Sequence, residues 1–117
     1  MALIWTAWRN GTQESATAYG LKVPVADRKR LFDKRWPTVF LELPAEQGFT
    51  EVEVPVSKAS FWTAKCHELI SKDIGHWLRA KRLIPWPTHR PPKILVEEMG
   101  TRRFRVKGLA NWERRGR

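Results

Sequence analysis

The apolar positions of this chain alternate more often than they recur at helical spacing. In residues 37–43, Val39, Leu41 and Leu43 fall on one side and Phe40 and Glu42 on the other. In residues 49–56, Val52, Val54 and Val56 stand against Glu51, Glu53 and Pro55. Alternation with a period of two marks a half-buried strand. The Pro-Ala-Glu-Gln-Gly run at 44–48 is a turn composition, so the two strands are expected to form an antiparallel hairpin. Pro55 has no N–H to give to a ladder, which sets its strand at a sheet edge.

The same reading extends outward. Residues 2–9 predict a strand, Asn10-Gly11 a turn, and residues 16–23 a second strand in which Gly20 marks a bulge or a close backbone approach. Pro24 opens a short helix with Val25, Leu31 and Phe32 facing inward and Asp27, Arg28, Lys29 and Arg30 in water. Residues 58–70 fit strand and helix equally. Ser71 is an N-cap for a helix through Arg82, with Asp73 in its first turn and Ile74, Trp77 and Leu78 as its buried stripe. Pro85, Pro87, Pro91 and Pro92 stiffen a loop. Residues 93–99 and 102–107 then predict a hairpin around Gly100-Thr101, a pair suited to a type II′ turn. The expected fold is mixed α/β and mainly antiparallel β, a barrel-like sheet of about six or seven strands with two short helices.

Composition narrows this to one domain, residues 1–108, with a basic tail at 109–117: 117 residues cannot build two cores. With 42% hydrophobic residues and seven Trp, a packed interior is within reach. No apolar run has the length of a membrane span, the N-terminus lacks a signal-peptide pattern, and Cys66 is the only cysteine. A cytoplasmic protein without membrane contact is the expectation.

Charge changes the picture most. The net charge of +10 is lodged at one end: residues 1–78 carry 10 basic and 9 acidic side chains, a net +1, and residues 79–117 carry 12 and 3, a net +9. Clustered Lys and Arg point to a polyanionic partner. Lys81, Arg82, Arg90, Lys93, Arg102, Arg103, Arg105 and Lys107 are the candidate phosphate contacts. Arg103, Arg105 and Lys107 share a face if their strand is regular, where Glu97 and Glu98 could neutralise part of the stripe. About six contacts would give a log–log salt slope of roughly −5.

Catalytic chemistry has little support. Cys66, His67 and Glu68 are adjacent, so on a regular element they diverge, and His76 and His89 stand alone. No second ligand pair completes a zinc site, and no Gly-rich loop precedes a Lys-Ser or Lys-Thr pair. Glu42, Glu51 and Glu53 could share one sheet face, as could the carboxylates of a metal-dependent nuclease, but alternating Glu is also what any half-solvated strand shows. No cofactor and no metal are expected; nuclease or hydrolase activity stays a remote alternative. Trp5, Trp36, Trp62 and Trp77 sit in apolar patterns and read as core. Trp86, beside Arg82, His89 and Arg90, could stack on a base or pin its loop. Trp112 belongs to the tail with Arg114, Arg115 and Arg117.

Residues 19–24, Tyr-Gly-Leu-Lys-Val-Pro, lead into a short helix ending Leu31-Phe32 and then into Thr38-Val39-Phe40-Leu41. This order resembles the N-terminal recognition domain of the EcoRII-type restriction endonucleases, within the DNA-binding pseudobarrel group that also holds the plant B-three domains. The likeness covers residues 16–43. It implies an open seven-stranded barrel that grips the major groove with two arms, one at the first turn, where Arg9, Asn10, Gln13 and Ser15 could reach base edges. The leading expectation is therefore a non-catalytic domain that binds duplex DNA. The alternatives are a basic protein-interaction or inhibitory module, such as an accessory subunit in regulation or defence, and an RNA binder.

Overall fold

The structure, a computed structural model, describes residues 2–9, 19–63, 67–87 and 89–110. Seven strands form one mixed sheet: β1 (Ala2–Arg9), β2 (Tyr19–Lys22), β3 (Thr38–Pro44), β4 (Phe49–Pro55), β5 (Glu68–Ile70), β6 (Lys93–Gly100) and β7 (Arg103–Leu109). Their order is β4-β3-β7-β6-β1-β2-β5. All neighbours are antiparallel except β3 and β7, which pair in parallel through Phe40–Arg103, Leu41–Phe104 and Glu42–Arg105. The sheet curls until its end strands, β4 and β5, meet, so it is nearly closed into a barrel. Two helices complete the fold, α1 (Val25–Leu31) and α2 (Lys72–Ala80).

Alternation does what the sequence pattern requires. Val39, Leu41 and Leu43 of β3 and Val52 and Val54 of β4 point into the barrel with Leu3, Trp5, Ile94, Val96, Phe104 and Val106. The hairpin of β3 and β4 has the expected register, and β4 is a sheet end, where Pro55 costs no ladder bond. Phe104 stacks on Phe32 with ring centroids 5.0 Å apart and lies 5.3 Å from Trp5, which ties the C-terminal end of α1 to the core. Ser71 caps α2, its Oγ accepting from the Asp73 N–H, and Ile74, Trp77 and Leu78 are buried as their spacing predicts. Among the described residues, no helix is long and apolar enough to cross a membrane.

Three expectations need correction, and one open reading is decided. Arg28 is not in water: it is 6% exposed, and its Nη1 donates to the carbonyls of Phe61 (2.9 Å) and Thr63 (2.7 Å), a segment no local pattern could bring to it. Trp36 and Trp62 are half-buried at the core's margin, whereas Trp5 and Trp77 are inside. Residues 58–70 resolve into a 3-10 turn over Ala59–Trp62 and then β5. The last hairpin turns one residue later than expected: Gly100 pairs with Arg103, leaving Thr101-Arg102 as the loop with Arg102 in the left-handed region at φ 62°. A type II′ turn needs positive φ at the first central residue, so this is another turn. A tertiary anchor holds it: Arg102 donates from Nε to the Thr38 carbonyl (2.9 Å) and from Nη2 to Thr38 Oγ1 (2.8 Å).

Candidate nucleic-acid interface

The basic stripe on β7 forms as its alternation predicts. Phe104 and Val106 turn inward, and Arg103, Arg105 and Lys107 stand on the outer face. That face, however, carries its own counter-ions. The hairpin register sets Glu42 directly opposite Glu51, a like-charge pair that needs neutralising. Parallel pairing brings β7 alongside, so that Arg105 Nε donates to Glu42 Oε1 at 2.6 Å and Arg103 bonds Glu51 with Glu42 4.0 Å away. Lys107 lies 3.4 Å from Glu97. Phe40 and Phe49 complete the ladder, with the Arg103 Cζ 4.9 Å and the Arg105 Cζ 4.0 Å from the respective ring centroids. Glu97 belongs to the pairing that the sequence suggests; Glu42 and Glu51 do not. The signal for them was available, since two glutamates opposite each other on one hairpin call for a cationic neighbour strand. Arg102, clamped onto Thr38 and 5.2 Å from the Phe40 centroid, serves the turn.

A second group of cations has no such partners. Between α2 and β6 the proline loop walls a cleft of about 630 Å³. Arg82, Arg90 and Lys93 line it together with His89 and Trp86, and among the described residues no carboxylate does. Among the described residues, no carboxylate oxygen comes within 4.0 Å of Arg82, Arg90, Lys93 or Arg9. Lys93 Nζ meets only the Thr6 hydroxyl, at 3.2 Å. Trp86 is half-buried, its ring edge-on to Tyr19 at 5.8 Å, and the Arg9 guanidinium stands 5.6 Å from its centroid. The two readings of Trp86 thus meet in one residue: it pins the loop to β2 and keeps part of its ring on the cleft side. A backbone bond from Ala7 N to the Pro92 carbonyl (2.9 Å) fastens the loop's far end to β1.

Arg82 occupies its place at a conformational cost. Leu83 N bonds the Leu78 carbonyl and Arg82 N bonds that of Arg79, the paired contacts of a Schellman helix end. The first of these two donors along the chain must be left-handed, and Arg82 has φ 59° where glycine is usual. His89, at φ 65°, is a second left-handed residue in the same cleft. Side chains are held in this region where surrounding structure and function demand it. Arg82→Gly is accordingly expected to raise stability by about 0.5–1 kcal/mol in urea unfolding, while removing one cation from the cleft.

The remaining candidates separate. Lys81 is exposed at the end of α2, in a smaller cavity that Lys107 and Trp77 also line. Asn10, Gln13 and Ser15 of the first turn, Cys66, and the tail with Trp112, Arg114, Arg115 and Arg117 lie outside the described residues. The His67 Nδ1–H donates to the Val23 carbonyl, and the buried Glu68 pairs with Lys22 at 3.8 Å, so both serve the β2–β5 edge. Among the described residues, no three His, Cys, Asp or Glu side chains are grouped to hold a metal ion. No family model matches the chain, and neither a curated protein nor a solved structure resembles it significantly.

Proposed function

We propose that this chain is a non-catalytic nucleic-acid-binding domain that takes duplex DNA along the cleft of Arg82, Arg90 and Lys93, with Arg9 at its rim. One observation carries the reading: four cations without carboxylate partners among the described residues converge beside a partly exposed tryptophan, while the other basic stripe is balanced within the fold. Phosphate oxygens supply the missing negative charge, and binding releases the counter-ions that otherwise gather there. The seven-stranded, nearly closed sheet accords with the barrel implied by the resemblance to the DNA-binding pseudobarrel group. In that reading Arg103, Arg105 and Lys107 are secondary, since each must first leave a glutamate.

The salt dependence of binding tests this directly. With four phosphate contacts, log affinity for a labelled duplex should fall against log salt with a slope of about −3.5 in fluorescence anisotropy. A slope near zero, or no binding at about 50 mM salt, rejects a phosphate interface. Single strands and structured RNA, run as competitors, decide which nucleic acid is preferred. A nuclease-treated pull-down that still recovers a protein partner would favour the interaction-module alternative.

A further inference from the structure

We propose that the cavity beside α1 is a binding site for an oxyanion of the phosphate type, in which Arg28 is the fixed charge and Lys29 and Lys34 close on the ligand. The cavity, about 410 Å³, is lined among the described residues by Arg28, Lys29, Phe32, Lys34 and Trp62: three cations, two aromatic rings and no carboxylate. It shares no residue with the cleft assigned to DNA, so it stands or falls on its own.

Arg28 is the reason to expect a ligand. Its side chain is more than nine-tenths buried, and a guanidinium cannot shed its charge by losing a proton. One nitrogen serves the Phe61 and Thr63 carbonyls, but among the described residues the buried Nε–H has no acceptor. Carbonyl dipoles do not cancel a full charge, and burying one without a counter-ion is costly. The two acidic residues of this stretch are engaged elsewhere. Asp27 accepts from the Trp5 indole at 3.2 Å and from Arg30 at 3.1 Å. Asp33 is gripped by Arg35 through Nε, Nη2 and the backbone N–H, which holds its carboxyl down at about 2.

Trp62 strengthens the case from another side. Its indole is locked by an Nε1–H bond to the Val56 carbonyl (2.8 Å), and both the Arg28 Cζ (5.5 Å) and the Lys34 Nζ (6.0 Å) lie within cation–π range of its ring. The ring steadies two like charges side by side without supplying negative charge. What completes the site is an anion that several N–H donors can share, and a tetrahedral phosphate has three oxygens for the purpose. The phosphate could come from a small phosphorylated compound or from the terminal phosphate of an oligonucleotide.

Nitrogen-15 NMR of the full chain tests the site, with the Arg28 Nε–H resonance as reporter. Inorganic phosphate should move that resonance saturably, with a millimolar dissociation constant. Lys34→Ala and Lys29→Ala alter exposed side chains, so the fold should survive, and each should weaken the effect about fivefold. No shift up to roughly 50 mM phosphate, an equal shift in sodium chloride of matched ionic strength, or no change in either lysine variant would each overturn the proposal. Oligonucleotides with a 5′-phosphate and a 5′-hydroxyl then identify the source: tighter binding of the phosphorylated form assigns the site to strand ends, and equal binding assigns it to a free small phosphate.

Discussion

Replacing Arg82, Arg90 and Lys93 together by alanine is expected to weaken duplex binding about 500-fold at 0.1 M salt and to flatten the salt slope by nearly three units. Both numbers follow from counter-ion release. Each phosphate contact contributes about 0.9 to the slope, so three contacts at 0.1 M salt amount to roughly 10 to the power 2.7. All three side chains are exposed on the cleft, and among the described residues none is in an ion pair. Stability should therefore stay within about 0.5 kcal/mol of the parent, which keeps the affinity loss interpretable. The companion variant removes a pair without changing net charge: Glu42→Gln with Arg105→Gln. Because Arg105 already spends its charge on Glu42, 2.6 Å away, this variant should bind within about threefold of the parent. If the stripe on β7 were a principal contact, the same variant would lose nearly tenfold. Anisotropy titrations of both proteins at two salt concentrations decide which face meets DNA. Full retention of affinity and slope in the triple variant would remove the cleft from the interface.

The contrast between these two variants shows where sequence reading reached and where it stopped. Period-two alternation placed β3, β4, β6 and β7, and it put Arg103, Arg105 and Lys107 on one face, because strand geometry is a local property. Ser71 and the 74, 77, 78 stripe placed α2 for the same reason. Pairing across long sequence separation is another matter. The parallel contact of β3 with β7 joins Glu42 to Arg105 across 63 residues; the facing Glu42 and Glu51 call for a cationic neighbour, but nothing within either strand says that β7 supplies it. So the stripe was legible but its neutralisation by Glu42 and Glu51 was not, and charge counted along the chain overstated what the face can offer a polyanion. Arg28 failed for a like reason. Helical spacing sets it on the face of Val25, Leu31 and Phe32, so that only its charge argued for water, and the carbonyls that make its burial tolerable come from residues 61 and 63. The cleft was half-readable: its charges stood out beside the prolines, but Arg9 and Tyr19 reach Trp86 only because β1 and β2 pair at that end.

Gly20→Ala should be the most damaging alanine substitution among Gly20, Gly48, Gly100 and Gly108, with an expected loss of about 3 kcal/mol or more. A Cβ at this position would lie 2.3 Å from the Leu69 carbonyl oxygen, with the Leu69 carbonyl carbon at 3.1 Å and the Ile70 Cα at 3.2 Å behind it. All three obstacles are backbone atoms of β5, so no side chain can swing aside. One strand must withdraw, and the pairs Gly20–Ile70, Leu21–Leu69 and Lys22–Glu68 are the whole of that ladder. Leu21 and Leu69, both fully buried, would move with it, as would the Val23 N–H bond to the His67 carbonyl (3.0 Å). For a domain of this size the thermal midpoint should drop by roughly 15 °C. Gly48→Ala is the control that separates contact from dihedral. Gly48 has φ +78° but open space around it, so alanine there should cost only about 1 kcal/mol. The ordering of the two variants in urea unfolding is the decisive readout, because a left-handed residue without neighbours and an extended one pressed on a carbonyl fail by different physics. If Gly20→Ala proved the milder change, β2 and β5 would not approach as closely as the barrel requires, and the closure that carries Tyr19 to the cleft would have to be redrawn.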